Sequence, residues 1–315
     1  FAYVISLLNV TKNEDFGMEY ICSDCPRKCG AMRGDDKPGG VCISPALPRI
    51  ARAAPHFGEE PCISGTRGSG AVFFTGCNLR CVFCQNIEIS RGQGGERVDA
   101  GALRDIFLRL RDTGVHNINL VTPSHYARVI EKALDGLTLG IPVVWNSSGY
   151  DSVETLRRME GLVQVYMPDY KYADGELARR YSAAGDYPSA AADAVREMFR
   201  QRGAYKLDED GLLTSGVLIR HLILPGQDEN TMSVIDFIER EFEPGDVLFS
   251  LMSQYTPMPG LARFPELTGR VDARSNAALI AYMRRCGITD GYWQEVESAT
   301  ADMIPDFDGT GVNAP

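Results

Sequence analysis

Long apolar runs and an excess of basic residues are both missing from this sequence of 315 residues. No uninterrupted apolar run approaches the ~18 residues that a membrane-spanning helix needs, so the sequence predicts no membrane protein. Its 32 Lys and Arg residues against 42 Asp and Glu give a net charge of −10. That balance argues against electrostatic capture of nucleic acid, which depends on cations that neutralise phosphates. Small-molecule or protein partners are therefore favoured.

A secretory leader and a disulfide scaffold are also missing. Residues 1–10 are mildly apolar but lack a basic start and a small-residue cleavage site, so no signal peptide is expected. Eight of the nine cysteines lie between Cys22 and Cys84, most of them in tight spacings. This clustering is typical of metal ligands in a reducing compartment, so we expect a cytoplasmic protein.

From about residue 70 onward, short β-branched or apolar runs alternate with amphipathic helical stretches, as in parallel strands covered by crossover helices. The predicted strands are residues 70–74, 118–121, 142–146, 163–167, 217–224 and 246–252. The predicted helices are residues 99–114, with Asp99 as N-cap, and 124–137, 189–202, 231–241 and 273–286.

Six such βα units predict an open, partial (β/α)6 barrel of the TIM type, with its reactive site at the carboxyl ends of the strands. Residues 1–69 differ, because they are rich in Gly, Pro and Cys and show little periodicity. We therefore predict two parts: a Cys-rich metal-binding extension at residues 1–69 and a barrel domain at residues 70–315.

Three cysteines, Cys77, Cys81 and Cys84, follow the first predicted strand in a CxxxCxxC spacing. Three thiolates at this spacing can bind three irons of a four-iron cluster, which leaves the fourth iron open to a small molecule. A structural zinc site would need a fourth ligand, and no His or Cys follows within the next thirty residues. The motif therefore predicts a catalytic iron-sulfur cluster.

The loop GCNLRCVFCQN resembles the signature of the radical S-adenosylmethionine (radical SAM) superfamily. With YMPDYKYAD, IRHLILPG and SLMSQYTP, nearly the whole chain resembles the homologues of pyruvate formate-lyase activating enzyme. The resemblance implies reductive cleavage of S-adenosylmethionine to methionine and a 5′-deoxyadenosyl radical, which removes a substrate hydrogen atom. It also implies that Phe83 packs beside the adenine, and that a low-potential donor such as flavodoxin or ferredoxin supplies the electron.

The activating enzymes carry Gly-Gly-Glu after the second strand, where this chain has Thr122-Pro123-Ser124. Thr122, Ser124 or backbone carbonyls can accept hydrogen bonds from the cofactor ammonium, although without a carboxylate the contact loses charge assistance. An equally good interpretation of Ser124 is a cap for the following helix. We interpret His125 as a helix-face residue rather than an acid or base.

After the third and fourth strands, Asn146, Ser147 and Asp169 align with segments that hold a monovalent cation in those relatives. Asp169 is the leading predicted ligand, assisted by Asn146, Ser147 and the Met167 carbonyl, because hard oxygen donors suit such an ion. The resemblance places Lys171 against the cofactor carboxylate. The alternative is a surface ion pair between Lys171 and Asp169.

Arg220 lies within an otherwise apolar predicted strand, where a charge is costly unless it is paired. Strand alternation puts Arg220 and Leu222 on one face and His221 on the other. The relatives carry an arginine here that faces the cofactor, so Arg220 is a predicted cofactor contact. Gln254 also corresponds to a cofactor-side position, although a loop hydrogen bond explains it nearly as well.

The first four cysteines, Cys22, Cys25, Cys29 and Cys42, supply enough thiolates for a closed tetrahedral metal site. Zinc and a second iron-sulfur cluster both accept four thiolates, and the spacing does not decide between them. The remaining cysteines, Cys62 and Cys286, are interpreted as buried apolar residues. His56, with Glu59 and Glu60 nearby, could approach the active site, but we interpret this segment as an exposed loop.

Three functions follow from these motifs. The first is an activase that removes hydrogen from a glycine α-carbon of a partner protein, as the family resemblance implies. The second is radical modification of a peptide or small molecule, which the unusual Thr-Pro-Ser-His segment and the extra metal module favour. The third, a non-catalytic iron-sulfur electron carrier, would need four cysteine ligands for its cluster. The sequence names no substrate.

Overall fold

The computed structural model describes residues 19–296 and 305–313. Residues 1–10, for which no signal peptide was predicted, lie outside these ranges. Within the described residues the strands are β1 (Tyr20–Ile21), β2 (Met32–Arg33), β3 (Arg49–His56), β4 (Ser69–Phe74), β5 (Glu96–Arg97), β6 (Ile118–Val121), β7 (Val143–Ser147), β8 (Val165–Pro168), β9 (Lys206–Leu207), β10 (Leu213–Leu222), β11 (Leu248–Met252) and β12 (Gly291–Trp293).

The main sheet has the order β12-β11-β10-β8-β7-β6-β4-β3-β5 and does not close on itself. Its strands from β4 to β12 along this order are parallel, and they include the six predicted strands. Every residue of β4, β6, β7, β8 and β11 is buried, as expected when both faces of a parallel sheet are covered. The predicted open, partial barrel is therefore confirmed.

The described helices are α1 (Pro61–Ser64), α2 (Ile87–Ser90), α3 (Ala100–Asp112), α4 (Ala127–Leu134), α5 (Val153–Arg158), α6 (Gly175–Ser182), α7 (Tyr187–Arg202), α8 (Asp228–Glu241) and α9 (Ala273–Arg285). Those from α3 onward cover the outside of the sheet, whereas Ile63 of α1 and Ile89 of α2 pack against strand residues of its inner face. The predicted N-cap of α3 is confirmed, because the Asp99 carboxylate accepts a hydrogen bond of 2.8 Å from the Ala102 amide. None of the helices in the described ranges is long and apolar enough to cross a membrane.

Four strands of the sheet, β3, β5, β9 and β12, were not predicted; β5 is the edge strand beside β3, and β9 pairs with β10. Strand β3 pairs antiparallel with β4, from Ile50 opposite Phe74 to His56 opposite Ser69. The predicted boundary between residues 69 and 70 thus falls after the first residue of β4, and residues 49–56 share the barrel's sheet. At the other edge, β12 adds a parallel strand beside β11.

Residues 19–48 contain only a short antiparallel pair, β1 with β2, as regular structure. Two arginines join this segment to the barrel. Arg27 donates to the carbonyls of Asn78 and Ser182 at 2.9 and 3.1 Å, and Arg33 donates to the carbonyl of His125 at 2.5 Å. The Cys-rich segment therefore packs directly against the loops at the carboxyl ends of the first two parallel strands.

Candidate active site

One cavity of about 230 Å³ lies at the carboxyl ends of the parallel strands. It brings together nearly all of the residues that the sequence predicts for catalysis and cofactor binding. Those that line it are Cys77, Cys81, Phe83, Cys84, Thr122, Asn146, Ser147, Asp169, Lys171, Arg220 and Gln254. Leu222 lines it too, on the same face of β10 as Arg220, so the predicted alternation along this strand is confirmed.

Strand register explains why residues so distant in sequence meet here. Val121 of β6 lies opposite Asn146 of β7, which lies opposite Met167 of β8. One step further, Asp169 forms a bridge with Arg220 of β10. Because parallel strands present their carboxyl ends at one edge, each strand adds a polar side chain to the same wall.

The three cysteines of the CxxxCxxC loop border this cavity. The Leu79 amide donates to the Cys77 sulfur at 3.4 Å, and the Ser182 hydroxyl donates to the Cys81 sulfur at 3.0 Å. Burial raises the pKa of both thiols, and the ammonium of Lys171 acts against this rise. Sulfur atoms with such donors, next to a cation, suit the ligands of an anionic iron-sulfur cluster.

Nowhere in residues 19–296 and 305–313 do three Cys, His, Asp or Glu side chains already form a site for a single metal ion. A four-iron cluster distributes three thiolates over three separate irons, so its ligands do not need to converge on one point. Three thiols that border one cavity, with no fourth cysteine at its wall, therefore fit a cluster with one open iron.

Arg220 is the centre of the hydrogen-bond network in the cavity wall. Its Nε donates to Asp169 at 3.0 Å, one terminal nitrogen donates to Glu59 at 2.8 Å, and the other donates to Asn146 at 2.7 Å. The side chain is only 13% exposed. The predicted requirement that this buried charge be paired is thus met, and the guanidinium fixes the orientation of three cavity residues.

Lys171 and Asp169 form an ion pair of 2.6 Å inside the cavity wall rather than on the outer surface. Burial opposes the ionisation of Asp169, but the charges of Lys171 and Arg220 outweigh it and lower its pKa below the usual value. Both carboxylate oxygens therefore already accept hydrogen bonds from cationic side chains. The monovalent cation site at Asp169 stays a prediction.

The interpretation of Glu59 and Glu60 as parts of an exposed loop is wrong. Their side chains are 10% and 9% exposed, because β3 pairs with β4 and carries the following segment over the strand ends. Besides Arg220, Glu59 accepts hydrogen bonds from the side-chain amides of Asn119 and Asn146 at 3.0 and 3.1 Å. Burial raises the pKa of Glu60, and Arg220 opposes this rise. His56 also lines the cavity, edge-on to Phe73.

Ser124 lies outside the cavity lining, where its hydroxyl donates to the buried carboxylate of Asp151. Ser147 donates to the other oxygen of Asp151, and the Trp145 indole donates at 3.3 Å. Burial raises the pKa of Asp151, and these hydrogen bonds act against it. Asp151 therefore ties the end of β7 to the turn before α4. The sequence offered no signal for it, since it matches no motif.

Thr122 and His125 take unusual positions beside this wall. Thr122 has a φ of +61° and its amide donates to the Asn146 carbonyl at 2.8 Å. Such a backbone conformation is strained for a β-branched residue. His125 is fully buried in a 3₁₀ turn behind the cluster loop, where it bonds the Thr75 carbonyl at 2.8 Å. His125 does not line the cavity.

Comparison with known proteins bears on this site. Residues 64–175 match the family described as a 4Fe-4S single cluster domain. That range carries the three cysteines and strands β4 to β8. The match supports the cluster and the predicted radical SAM superfamily, and it leaves the subgroup of activating-enzyme homologues unconfirmed.

An uncharacterized protein of Methanocaldococcus jannaschii is 30% identical over 226 residues, which are 69% of this chain and 61% of that protein. SuiB of Streptococcus suis, solved bound to the precursor peptide SuiA, is 14% identical with a TM-score of 0.49, covering 69% of this chain and 46% of that one. A domain of pyruvate-formate lyase-activating enzyme from Bacteroides vulgatus is 12% identical with a TM-score of 0.36, covering 62% of this chain and 91% of that one. Neither solved structure assigns a function to this chain at these values.

Proposed function

We propose that this chain is a radical SAM enzyme whose reaction takes place in the cavity at the strand ends. One observation carries the proposal: Cys77, Cys81 and Cys84 border the same cavity as the polar ends of five parallel strands. An electron carrier needs a sealed four-cysteine cluster and no such chamber. A three-cysteine cluster beside a polar chamber suits a cluster that binds a small molecule at its open iron.

When bound, the cluster supplies one electron that cleaves the S–C5′ bond of S-adenosylmethionine, giving methionine and a 5′-deoxyadenosyl radical that removes a substrate hydrogen atom. The residues of the chain hold and orient the cluster and the S-adenosylmethionine. Lys171 places an ammonium beside Cys81 and Cys77, which favours their thiolate forms. Phe83 is buried and packs edge-on against Tyr255 at 6.1 Å, so it offers a fixed apolar surface to the adenine.

The cofactor carries a positive sulfonium and ammonium and a negative carboxylate, and the cavity offers partners of both signs. Glu59 and Asp169 supply carboxylates, while Lys171 and Arg220 supply cations. Because all three nitrogens of Arg220 already donate, to Asp169, Glu59 and Asn146, we assign it to holding these side chains in place. Lys171, whose ammonium bonds one carboxylate oxygen within the described residues, is the cation assigned to the cofactor carboxylate.

The resemblance of YMPDYKYAD and SLMSQYTP to activating enzymes supports a finer proposal, in which the substrate is a glycine of a partner protein. Modification of a peptide or small molecule by the same chemistry is the alternative. The electron is proposed to come from a low-potential flavodoxin or ferredoxin in a reducing cytoplasm.

The test is anaerobic reconstitution with iron and sulfide, followed by dithionite and S-adenosylmethionine, with 5′-deoxyadenosine measured by chromatography. We expect product from the wild type and none from Cys81→Ala. The matched control is Cys286→Ala, which removes a thiol that does not line the cavity and should retain full production. If an intact, reduced wild-type cluster yields no 5′-deoxyadenosine, the electron-carrier function becomes the better account of this chain.

A further inference from the structure

We propose that Cys22, Cys25, Cys29 and Cys42 bind a second metal centre through their thiolates, and that this centre braces the loop carrying Cys77. The ligand chemistry is that of a soft metal: a zinc ion or an iron-sulfur cluster, each of which accepts four thiolates. This inference does not depend on the proposed function, because it concerns a separate group of cysteines and predicts metal binding, not catalysis.

The four cysteines border one small cavity between the Cys-rich segment and the barrel. Gly40 lies between two of them, since a Cβ atom there would stand 2.9 Å from the Cys29 sulfur and 3.8 Å from the Cys42 sulfur. The backbone closes around Cys22, whose amide donates to Ala31 at 2.9 Å and whose carbonyl accepts from Gly30 at 3.2 Å. The described residues hold no ready-made single-ion site, so metal binding has to draw the sulfurs inward.

Arg33 supplies the first independent reason to expect negative charge in this cavity. Its side chain is 1% exposed, and its guanidinium lies 2.6 Å from the Cys42 sulfur and 3.3 Å from the Tyr20 hydroxyl. Asp24 also lines this cavity, but its carboxylate pairs with Arg128 and Arg158 at 2.8 and 3.7 Å. Within the described residues, no carboxylate pairs with Arg33, and its Nε has no partner. A buried cation is costly without an anion, and four metal-bound thiolates carry a net negative charge that supplies one.

His125 supplies the second reason. Its Nε2 lies 2.8 Å from the Thr75 carbonyl, which can only accept, so Nε2 carries the proton and Nδ1 has a free lone pair. That Nδ1 is buried without a partner, in a side chain that is 1% exposed and borders the cavity of the four cysteines. An unpartnered buried lone pair at this cavity marks a site that is polar yet incomplete, and an imidazole nitrogen, like the thiolates, is a donor that zinc and iron accept.

The same cavity is tied to the first cluster loop. Asn78, the neighbour of Cys77, borders the cavity, and its carbonyl accepts from Arg27 at 2.9 Å. The Cys42 carbonyl lies so near Gly76 that an added Cβ would stand 2.7 Å from it. Residues 19–48 have little regular structure and a small core, so a metal centre is the natural stabiliser of these contacts.

The first experiment measures zinc, iron and sulfide in three full-length proteins. The starting variant is Cys77→Ala/Cys81→Ala/Cys84→Ala, which lacks the proposed first cluster. We expect it to keep about one zinc, or about four irons with sulfide and visible absorbance, per chain. Adding Cys22→Ser/Cys42→Ser should lower this content at least tenfold. Adding Cys62→Ser/Cys286→Ser instead, the matched thiol removal outside both cavities, should leave it unchanged.

Zinc and iron with sulfide are both supporting outcomes, and they identify the metal. A starting variant that is folded, reconstituted with either metal and still free of both overturns the proposal. So does metal that persists after Cys22→Ser/Cys42→Ser.

A second measurement covers the case in which the variant with Cys22→Ser/Cys42→Ser does not fold. Cys29 is exposed, whereas Cys22, Cys25 and Cys42 are buried. In the starting variant, Cys29 should therefore resist alkylation while metal is bound and react at least tenfold faster after oxidative removal with a chelator. Equal alkylation rates before and after this treatment would overturn the assignment.

Discussion

A terminal nitrogen of Arg220 donates to the Glu59 carboxylate at 2.8 Å, across 161 positions of sequence. The bond joins the middle of the sheet, at β10, to the segment between β3 and α1. The same guanidinium also bonds Asp169 and Asn146. Arg220 thereby fixes side chains from three segments of the cavity wall at once.

Replacement of Arg220 should therefore be costly. Arg220→Met leaves the Glu59 carboxylate buried without its counter-charge and Asp169 with Lys171 alone, and we expect the free energy of unfolding to fall by about 3–5 kcal/mol. Glu59→Gln keeps a hydrogen-bond acceptor and should lower it by about 1–3 kcal/mol. The measurement is urea denaturation of the full chain. Arg179→Met, which removes an exposed ion pair with Glu176, is the control and should change little; similar values for Arg179→Met and Arg220→Met would contradict the prediction.

Much of the fold follows from the sequence because each of the six predicted parallel strands contains a short run rich in buried apolar residues. Strand β3 escaped prediction because its residues, RIARAAPH, include two arginines and a proline and lack a clear alternation. Strand β12 has only three residues, GYW, and its pairing with β11 depends on tertiary contact.

The residues of the site also fall into those that the sequence predicts and those that it does not. The thiols of the cluster loop and Arg220 are recognisable because their local context is unusual: a tight cysteine spacing and a charge inside an apolar strand. Glu59 and Asp151 have no such local signal, since Glu59 pairs with Arg220 and Asp151 accepts from Ser124, both of which are distant in sequence. Only the assembled sheet shows that Arg220 needs Glu59, or that Ser124 and Ser147 share one carboxylate.

The positive φ of Thr122 predicts a trade between stability and activity. A β-branched residue in the left-handed region stores about 1–3 kcal/mol of strain, which Thr122→Gly should largely relieve. We expect a higher melting temperature together with slower production of 5′-deoxyadenosine, because the cavity loses the Thr122 side chain. Ala183→Gly is the control: it has a φ of +52° outside the cavity and should gain stability without a loss of rate. Unchanged rates for both variants would show that the Thr122 side chain does not contribute to the reaction.

Burial of His221 predicts a loss of stability in mild acid. Its Nδ1 donates to the Tyr170 carbonyl at 2.7 Å and its Nε2 accepts from the Thr231 hydroxyl at 2.9 Å. Burial lowers its pKa to about 4 from the usual value near 6.5. Below pH ~6.5 the unfolded chain takes up a proton that the folded chain does not, so the free energy of unfolding falls as the pH approaches 4.

The share of His221 in this fall is up to about 3 kcal/mol, at 1.36 kcal/mol per pH unit of difference in pKa. Urea denaturation at several pH values between 7 and 4 should show a shallower dependence in His221→Asn than in the wild type. The remaining slope belongs to other groups, among them buried His125, whose pKa is lowered to about 3 by burial and by Arg33. If the free energy of unfolding depends on pH equally in the two proteins, His221 takes up its proton in the folded state over the same pH range as in the unfolded chain.

The last prediction concerns the contact between Gly76 and the Cys-rich segment. Gly76 has a φ of +85°, and a Cβ atom there would lie 2.1 Å from the Ser44 hydroxyl and 2.7 Å from the Cys42 carbonyl. Gly161 has nearly the same φ, +86°, with nothing within 4 Å of its Cβ position. Both alanine variants carry the same backbone strain, so Gly161→Ala measures that strain alone and the difference between them isolates the clash.

We expect Gly161→Ala to lower the free energy of unfolding by about 1 kcal/mol and Gly76→Ala to lower it by at least about 1–3 kcal/mol more. Gly76→Ala should also lower the iron content after reconstitution, because the segment that clashes adjoins Cys77. Urea denaturation and iron analysis of the two purified variants are the measurements. Equal stability and equal iron content would mean that the Cys-rich segment moves away from the cluster loop without cost. In that case neither Arg27 nor Arg33 would contribute measurably to holding the two together.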